Sequence, residues 1–181
     1  MINALSTFLN RIAGWKSLLI FFALDILFNG FILPNAGDKI NALAGKTTGV
    51  IDLTFGFNPQ KTLTMVADYG DEARAYYART ELTTDMVYPI VYAFLAAIIL
   101  TLLYRNTPYS RVNLIPFLCL IFDYLENITI VTLLLTYPQQ SSTVATLCEI
   151  VKLIKWLTFG VLILLVIGGL ILKLVRRPRI G

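Results

Sequence analysis

The sequence predicts an all-α integral membrane protein, a bundle of four transmembrane helices with a small helical extracytoplasmic cap between the first and second. Three observations carry this prediction. Of 181 residues, 57% are hydrophobic and only 14% charged, where a soluble domain has about 25% charged. The mean hydropathy is +0.73. Four stretches reach the length of about 20 apolar residues that a helix needs to cross a bilayer. This composition excludes a disordered chain, a coiled coil and an ordinary cytosolic enzyme. The sequence contains no histidine, which removes histidine-ligated haem, imidazole-ligated zinc and a Ser-His-Asp triad. Its two cysteines, Cys119 and Cys148, form no CxxC pair, so thiol-redox chemistry lacks its usual equipment.

The elements follow in order, as one four-span domain over residues 1–181. Residues 1–16 read as a short amphipathic segment in the membrane interface: Ile2, Leu5, Phe8, Leu9, Ile12 and Trp15 recur at helical spacing. A plain extension of the first span is the competing reading, and a signal peptide is not expected. The spans are expected at about 17–33, 86–104, 112–137 and 144–175, the last being longer than one crossing requires. Arg11 and Lys16 precede the first span, Arg105 and Arg111 separate the second from the third, and Lys173, Arg176, Arg177 and Arg179 follow the fourth. The turn 138–143 carries no charge, and 34–85 holds five basic and seven acidic residues. The positive-inside rule then places both termini in the cytoplasm and 34–85 outside. The net charge of +4 reflects this fringe and not a nucleic-acid surface.

Within 34–85, Pro34, Gly37, Gly45 and Gly49 are expected to break the early part, and Val50 to Phe57 to run extended over the bundle mouth. Asn58 and Pro59 read as the cap and first residue of a short helix. Gly70 ends that helix, and Asp71 is positioned to cap the next. No break follows before Pro89, so the second span is expected to project several turns above the membrane. Asp68, Asp71, Glu72, Arg74 and Arg79 read as a solvated, locally paired face. About fifty residues without a disulfide cannot hold their own core, so this cap must lean on the spans.

The chemistry lies in polar groups inside the spans, where an ionisable side chain costs at least about 2.5–3.5 kcal/mol and faces the bundle interior. Asp25 and Asn29 share one face of the first span. Asp85, Tyr88 and Tyr92 share a face of the second. Asp123, Glu126 and Asn127 lie on one stripe of the third, with Cys119 a turn away. Glu149, Lys152 and Lys155 follow at three-residue steps on the fourth. Glu126 and Lys155 each lie roughly 16 Å below the outer ends of their spans, and Asp25 is level with them. Four carboxyls, Asp25, Asp123, Glu126 and Glu149, then face two ammonium groups, Lys152 and Lys155. Protonated carboxyls, a bound cation, or water reaching Glu149 from the outer mouth would each relieve the imbalance. Asp123–Lys155 and Glu126–Lys152 are the expected interhelical pairs. Gly160 and Gly168, with Ala96 and Ala97, are expected to allow close helix contact, and Pro89 and Pro116 to loosen their helices. The sequon at Asn127 falls inside the bilayer and is discounted.

The leading expectation is a non-enzymatic membrane protein whose buried polar site binds a cation, a proton or a small amphipathic ligand, for transport or sensing. Its site residues would be Asp25, Asn29, Tyr92, Asp123, Glu126, Asn127, Glu149, Lys152 and Lys155. No catalytic residue, metal or cofactor is expected. The expected partners are the lipid bilayer and a further copy or a larger membrane complex, and no nucleic acid. A structural or accessory subunit whose charges only hold helices together is one alternative. A membrane-embedded enzyme acting on a lipid or isoprenoid is another. The motifs of claudins and tetraspanins are absent. The polar stripe resembles in outline that of small sterol-isomerase-like membrane proteins, which use buried carboxylates and aromatics, although no motif matches residue by residue.

Overall fold

The computed structural model describes residues 2–175, helices joined by turns and short irregular stretches, with no strand among them. Arg176, Arg177 and Arg179 of the expected basic fringe lie outside the described residues. Four helical stretches are long and apolar enough to cross a membrane: Trp15–Ala44, Gly70–Tyr104, Ser110–Leu135 and Ser142–Val175.

Helix α1 (Ile2–Ile12) is separate from the first span, with a break at Ala13 and Gly14. Leu9 and Ser6 are buried, and Ser6 Oγ donates to Asn113 Oδ1 at 3.2 Å. Asn113 Nδ2 in turn donates to Thr101 Oγ1 at 3.0 Å. The first span combines α2 (Trp15–Leu27) and α3 (Leu33–Ala44) through a π-helical stretch, Phe28–Ile32. It therefore does not end at Leu33 as expected but runs eleven residues further, to Ala44. The π stretch explains why Pro34 is no break. Proline lacks the N–H that an α-helix needs four residues back, and here the ladder has already shifted: Leu33 N–H donates to Phe28 O, five residues back. Gly37 is likewise helical, and the chain turns only at Gly45, where φ is +67°.

The segment from residue 45 to 69 holds a 3-10 turn, Ile51–Leu53, and α4 (Pro59–Asp68). The stretch after Gly49 is thus partly a turn instead of wholly extended. As expected, Asn58 Oδ1 accepts the Lys61 N–H at 3.0 Å, with Pro59 at the first helical position. Gly70, at φ +73°, ends α4 and opens α5 (Gly70–Tyr104). Asp71 makes no cap; its carboxylate pairs with Arg74. Arg74 is not on a solvated face either. It is buried, donates to Val66 O at 3.0 Å, and lies 3.8 Å over the Tyr137 ring. Ile40, Ile51, Val66, Tyr69 and Tyr77 form one buried cluster with Ile130 and Leu134 of α6 (Pro116–Leu135) and Cys148 of α7 (Ser142–Val175). The segment between the first two spans therefore shares its core with the ends of the third and fourth.

Helices α5 and α7 have 35 and 34 residues, or roughly 50 Å each at 1.5 Å per residue, well beyond a hydrocarbon core of about 30 Å. Pro89 sits within an unbroken α5, and Pro116 is the first residue of α6. Packing joins α5 to α6, α6 to α7, α5 to α7, and the first span to α5. The close approach of α5 and α7 occurs at Gly169, not at Gly160, where nothing lies within 4 Å of an added Cβ. A Cβ at Gly169 would stand 2.7 Å from Tyr104 Cε2 and 2.9 Å from Leu103 Cβ. Because the second neighbour is anchored to the backbone, Gly169→Val should destabilise by about 1–3 kcal/mol. Gly160→Ala, with open space at its Cβ in a helix interior, should instead stabilise by about 0.5–1 kcal/mol. Thermal unfolding of the two variants in detergent checks the difference.

Candidate functional site: an acidic cavity between the spans

One stripe of α5 builds the site. Tyr77, Glu81, Asp85, Tyr88 and Tyr92 recur at steps of three or four residues, which places them on one helix face, and all five line a single cavity of 530 Å³. This volume lies within the range of small-molecule sites, about 300–1,000 Å³. The first span contributes Asn29 and Leu33 to the wall, the 45–58 segment Asp52 and Leu53, α6 Asp123, and α7 Lys155, Trp156 and Phe159. Most of the wall is aliphatic or aromatic, and its polar groups are concentrated on α5, α6 and Asp52.

The polar groups fall into three sets. At one end, Asn29 Nδ2 donates to Tyr88 Oη at 2.5 Å and to Asp25 Oδ1 at 3.3 Å, while the Tyr88 hydroxyl donates to Asp25 Oδ1 at 3.4 Å. In the middle, the Tyr92 hydroxyl donates to Asp123 Oδ2 at 2.8 Å. The Lys155 ammonium pairs with Glu126 Oε2 and stands 3.6 Å from Asp123 Oδ1. Tyr88 and Tyr92 meet edge to face, with ring centroids 5.3 Å apart, and so join the first set to the second. At the other end, the Tyr77 hydroxyl accepts from Ile51 N–H at 2.9 Å and donates to Asp52 Oδ1 at 2.7 Å. Beside it, the Tyr69 hydroxyl donates to Gly49 O at 2.9 Å. Burial first, and then the Asp52 and Glu81 carboxylates, hold the Tyr69 phenol above its ordinary range, so it remains a donor.

Between these sets lies Glu81, only 2% exposed, with Oε2 lacking any hydrogen-bond partner. Asp85, one turn on, is 8% exposed; Asn127 Nδ2 donates to its backbone carbonyl at 3.0 Å. Asp52, Glu81, Asp85 and Asp123 line the cavity with one ammonium group, Lys155, and that group is already engaged by Glu126 and Asp123.

Glu149 and Lys152 lie elsewhere. They pair with each other within α7 at 2.5 Å, and both are buried. Lys152 Nζ also donates to Thr54 Oγ1 at 2.6 Å, and Glu149 accepts from Asn58 N–H at 2.8 Å and Thr62 Oγ1 at 2.7 Å. The expected Glu126–Lys152 pair is replaced by Glu126–Lys155, and Glu149 is neither water-screened nor part of the cavity. The single expected cluster is thus two: a closed knot that fastens the 54–62 stretch to α7, and an open acidic cavity. Of the expected site residues, Asn29, Tyr92, Asp123 and Lys155 line the cavity. Asp25 reaches its edge through Tyr88 and Asn29, and Glu126 and Asn127 stand behind the wall. Glu81 and Asp52 were missed because only Asp68, Asp71, Glu72, Arg74 and Arg79 were weighed among the charges before Asp85 in this segment. Extending the Asp85–Tyr88–Tyr92 stripe backward by four residues reaches Glu81, and by eight reaches Tyr77.

The chain matches no protein-family model, no curated protein and no solved structure. Among the described residues no three carboxylate or thiol groups converge as a metal site would require.

Removing one member of the closed knot should be costly, because the other stays buried and charged. Lys152→Met is expected to destabilise by about 3–5 kcal/mol. The double variant Glu149→Gln/Lys152→Met should recover part of the loss. Chemical denaturation of both in detergent, read by loss of helical circular dichroism, measures this.

Proposed function

We propose that this membrane-embedded cavity binds an organic cation with an apolar body, in the service of transport or sensing. The observation that carries the reading is Glu81, a buried carboxylate without a hydrogen-bond partner on the wall of a cavity already rich in carboxylates. A buried carboxylate left unpaired is costly, and a charge partner arriving with a ligand would offset that cost. Two features favour an organic cation over a bare metal ion. The acidic groups are spread around the cavity instead of converging on one point. The remaining wall is apolar and aromatic, suited to a hydrocarbon body, with Tyr77, Tyr88 and Trp156 able to face a cation.

The helix-glue alternative requires one-to-one pairing of the buried charges and a filled interior. It describes Glu149 and Lys152 well. It leaves Glu81, Asp85 and a cavity of 530 Å³ without a role.

The test is ligand-induced stabilisation of the purified protein. Octylamine should raise the unfolding temperature of the wild type, and octanol, equal in chain length but neutral, should not. Occupancy at a hundred times the dissociation constant corresponds to about 2.7 kcal/mol. Glu81→Gln should remove the amine-specific shift while leaving the unliganded protein as stable as the wild type or more so. Equal shifts from amine and alcohol would overturn the reading.

A further inference from the structure

The walls of the cavity do not enclose it equally. At its 45–58 end the segment is fastened down by Tyr77 on Ile51 and Asp52, by Tyr69 on Gly49, and by the buried Glu149–Lys152 knot on Thr54 and Asn58. At the side it is open. Helix α7 packs on α4, α5 and α6, while the first span packs on α5, and no extensive interface joins the first span to α7 among the described residues. None of the eighteen most apolar residues of the first span is buried within the chain. Yet both spans border the cavity, through Asn29 and Leu33 on one and Phe159 on the other.

The level of this gap decides what lies outside it. Asn29 is thirteen residues beyond Lys16, and Phe159 is fourteen residues before Lys173. At 1.5 Å per residue both stand roughly 20 Å above the basic fringe at the other end of the spans. That level lies within a hydrocarbon core of about 30 Å. Phe159 and Asn29 are both exposed on the isolated chain, and Leu33, one turn beyond Asn29, is apolar. The gap therefore faces acyl chains, not water. The acidic wall also bears on what can enter. A phospholipid would bring its phosphate among Asp52, Glu81, Asp85 and Asp123, whereas an amine without a phosphate meets only opposite charge.

We propose that the occupant is a long single-chain amine drawn from the bilayer, with its ammonium at Glu81 and Asp85 and its chain leaving sideways between Asn29 and Phe159. This rests on the cation-binding reading above and adds to it the class of ligand and its route.

A photoreactive probe tests both parts separately. The protein is reconstituted in phosphatidylcholine vesicles with hexadecylamine carrying a diazirine at mid-chain, and the labelled residues are identified by mass spectrometry. Labelling is expected at Asn29, Leu33 and Phe159, and excess hexadecylamine, but not hexadecanol, should remove it. In Glu81→Gln the competing amine should be needed at about tenfold higher concentration. Unchanged background labelling of lipid-facing Leu164 shows that the variant is folded. Amine-competable label on Val50 and Leu53 instead of the gap would overturn the lateral route and leave cation binding standing. Competition by hexadecanol equal to that by the amine would overturn cation binding, and this inference with it. Label spread evenly over the lipid-facing surface, with no competition, would overturn the seat proposed here.

Discussion

The structure depends on where the Lys155 ammonium goes. A lysine on a membrane-spanning helix carries a penalty that only a partner of opposite charge, or a route to water, can offset. Lys155 finds two partners on the neighbouring helix, Glu126 and Asp123, and this ties α7 to α6. Asp123 accepts a further hydrogen bond from Tyr92 of α5. Three spans therefore meet at one charge, and their rotations about their own axes are fixed there. With Asp123 turned toward Tyr92, the α5 stripe that contains Tyr92 must face the same interior, which brings Asp85 and Glu81 with it. The acidic cavity is thus a geometric consequence of the same contact that locks the helices.

The fourth span solves a second charge problem in a different way. Lys152 and Glu149 satisfy each other along one helix face, three residues apart, and then recruit Thr54, Asn58 and Thr62 from the preceding segment. Both Glu149 oxygens accept hydrogen bonds, and the Lys152 ammonium makes two, as a buried ion pair requires to hold its position. The contrast with Glu81 is chemical. Both are buried carboxylates near the same end of the molecule, but Glu149 is surrounded by donors and Glu81 is surrounded by cavity. One group is fully hydrogen-bonded and the other has an oxygen without a partner.

Much of this was legible in the sequence, and the failures have physical causes. The four spans, the Asn58 cap and the Asp123–Glu126 stripe follow from local patterns of hydropathy and spacing, which tertiary context does not change. Depth put Glu126 level with Lys155, and the structure pairs them; the expected Glu126–Lys152 pair ignored that level. Spacing alone did not separate the two lysines, because residues three apart share one face of α7. The extension of the first span past Pro34 was hidden because a π stretch that accommodates the proline leaves no signature in hydropathy. Gly169 was passed over for Gly160 and Gly168 because close packing depends on which turn of α7 meets the Tyr104 ring.

Glu81 shows a more general reason for such failures. Hydropathy counting treats a charged residue beyond the end of an apolar stretch as solvated, and Asp68, Asp71, Glu72, Arg74 and Arg79 were read in that way while Glu81 was given no role. In a helix of 35 residues the apolar stretch is shorter than the helix, so its polar end is not free of neighbours. Here that end is covered by Ile40, Ile51 and Tyr69 from the segment before it. A charge that looks peripheral by sequence is then interior by packing, with burial close to that of Glu126 at the level of the bilayer. Chain that packs back onto the end of a helix bundle extends its low-dielectric interior beyond the apolar stretches. Carboxylates in that extension carry a desolvation cost close to that of a transmembrane charge, while remaining only a few turns of helix from water. Such a position keeps a carboxylate buried yet beside a cavity, which is where the structure places Glu81.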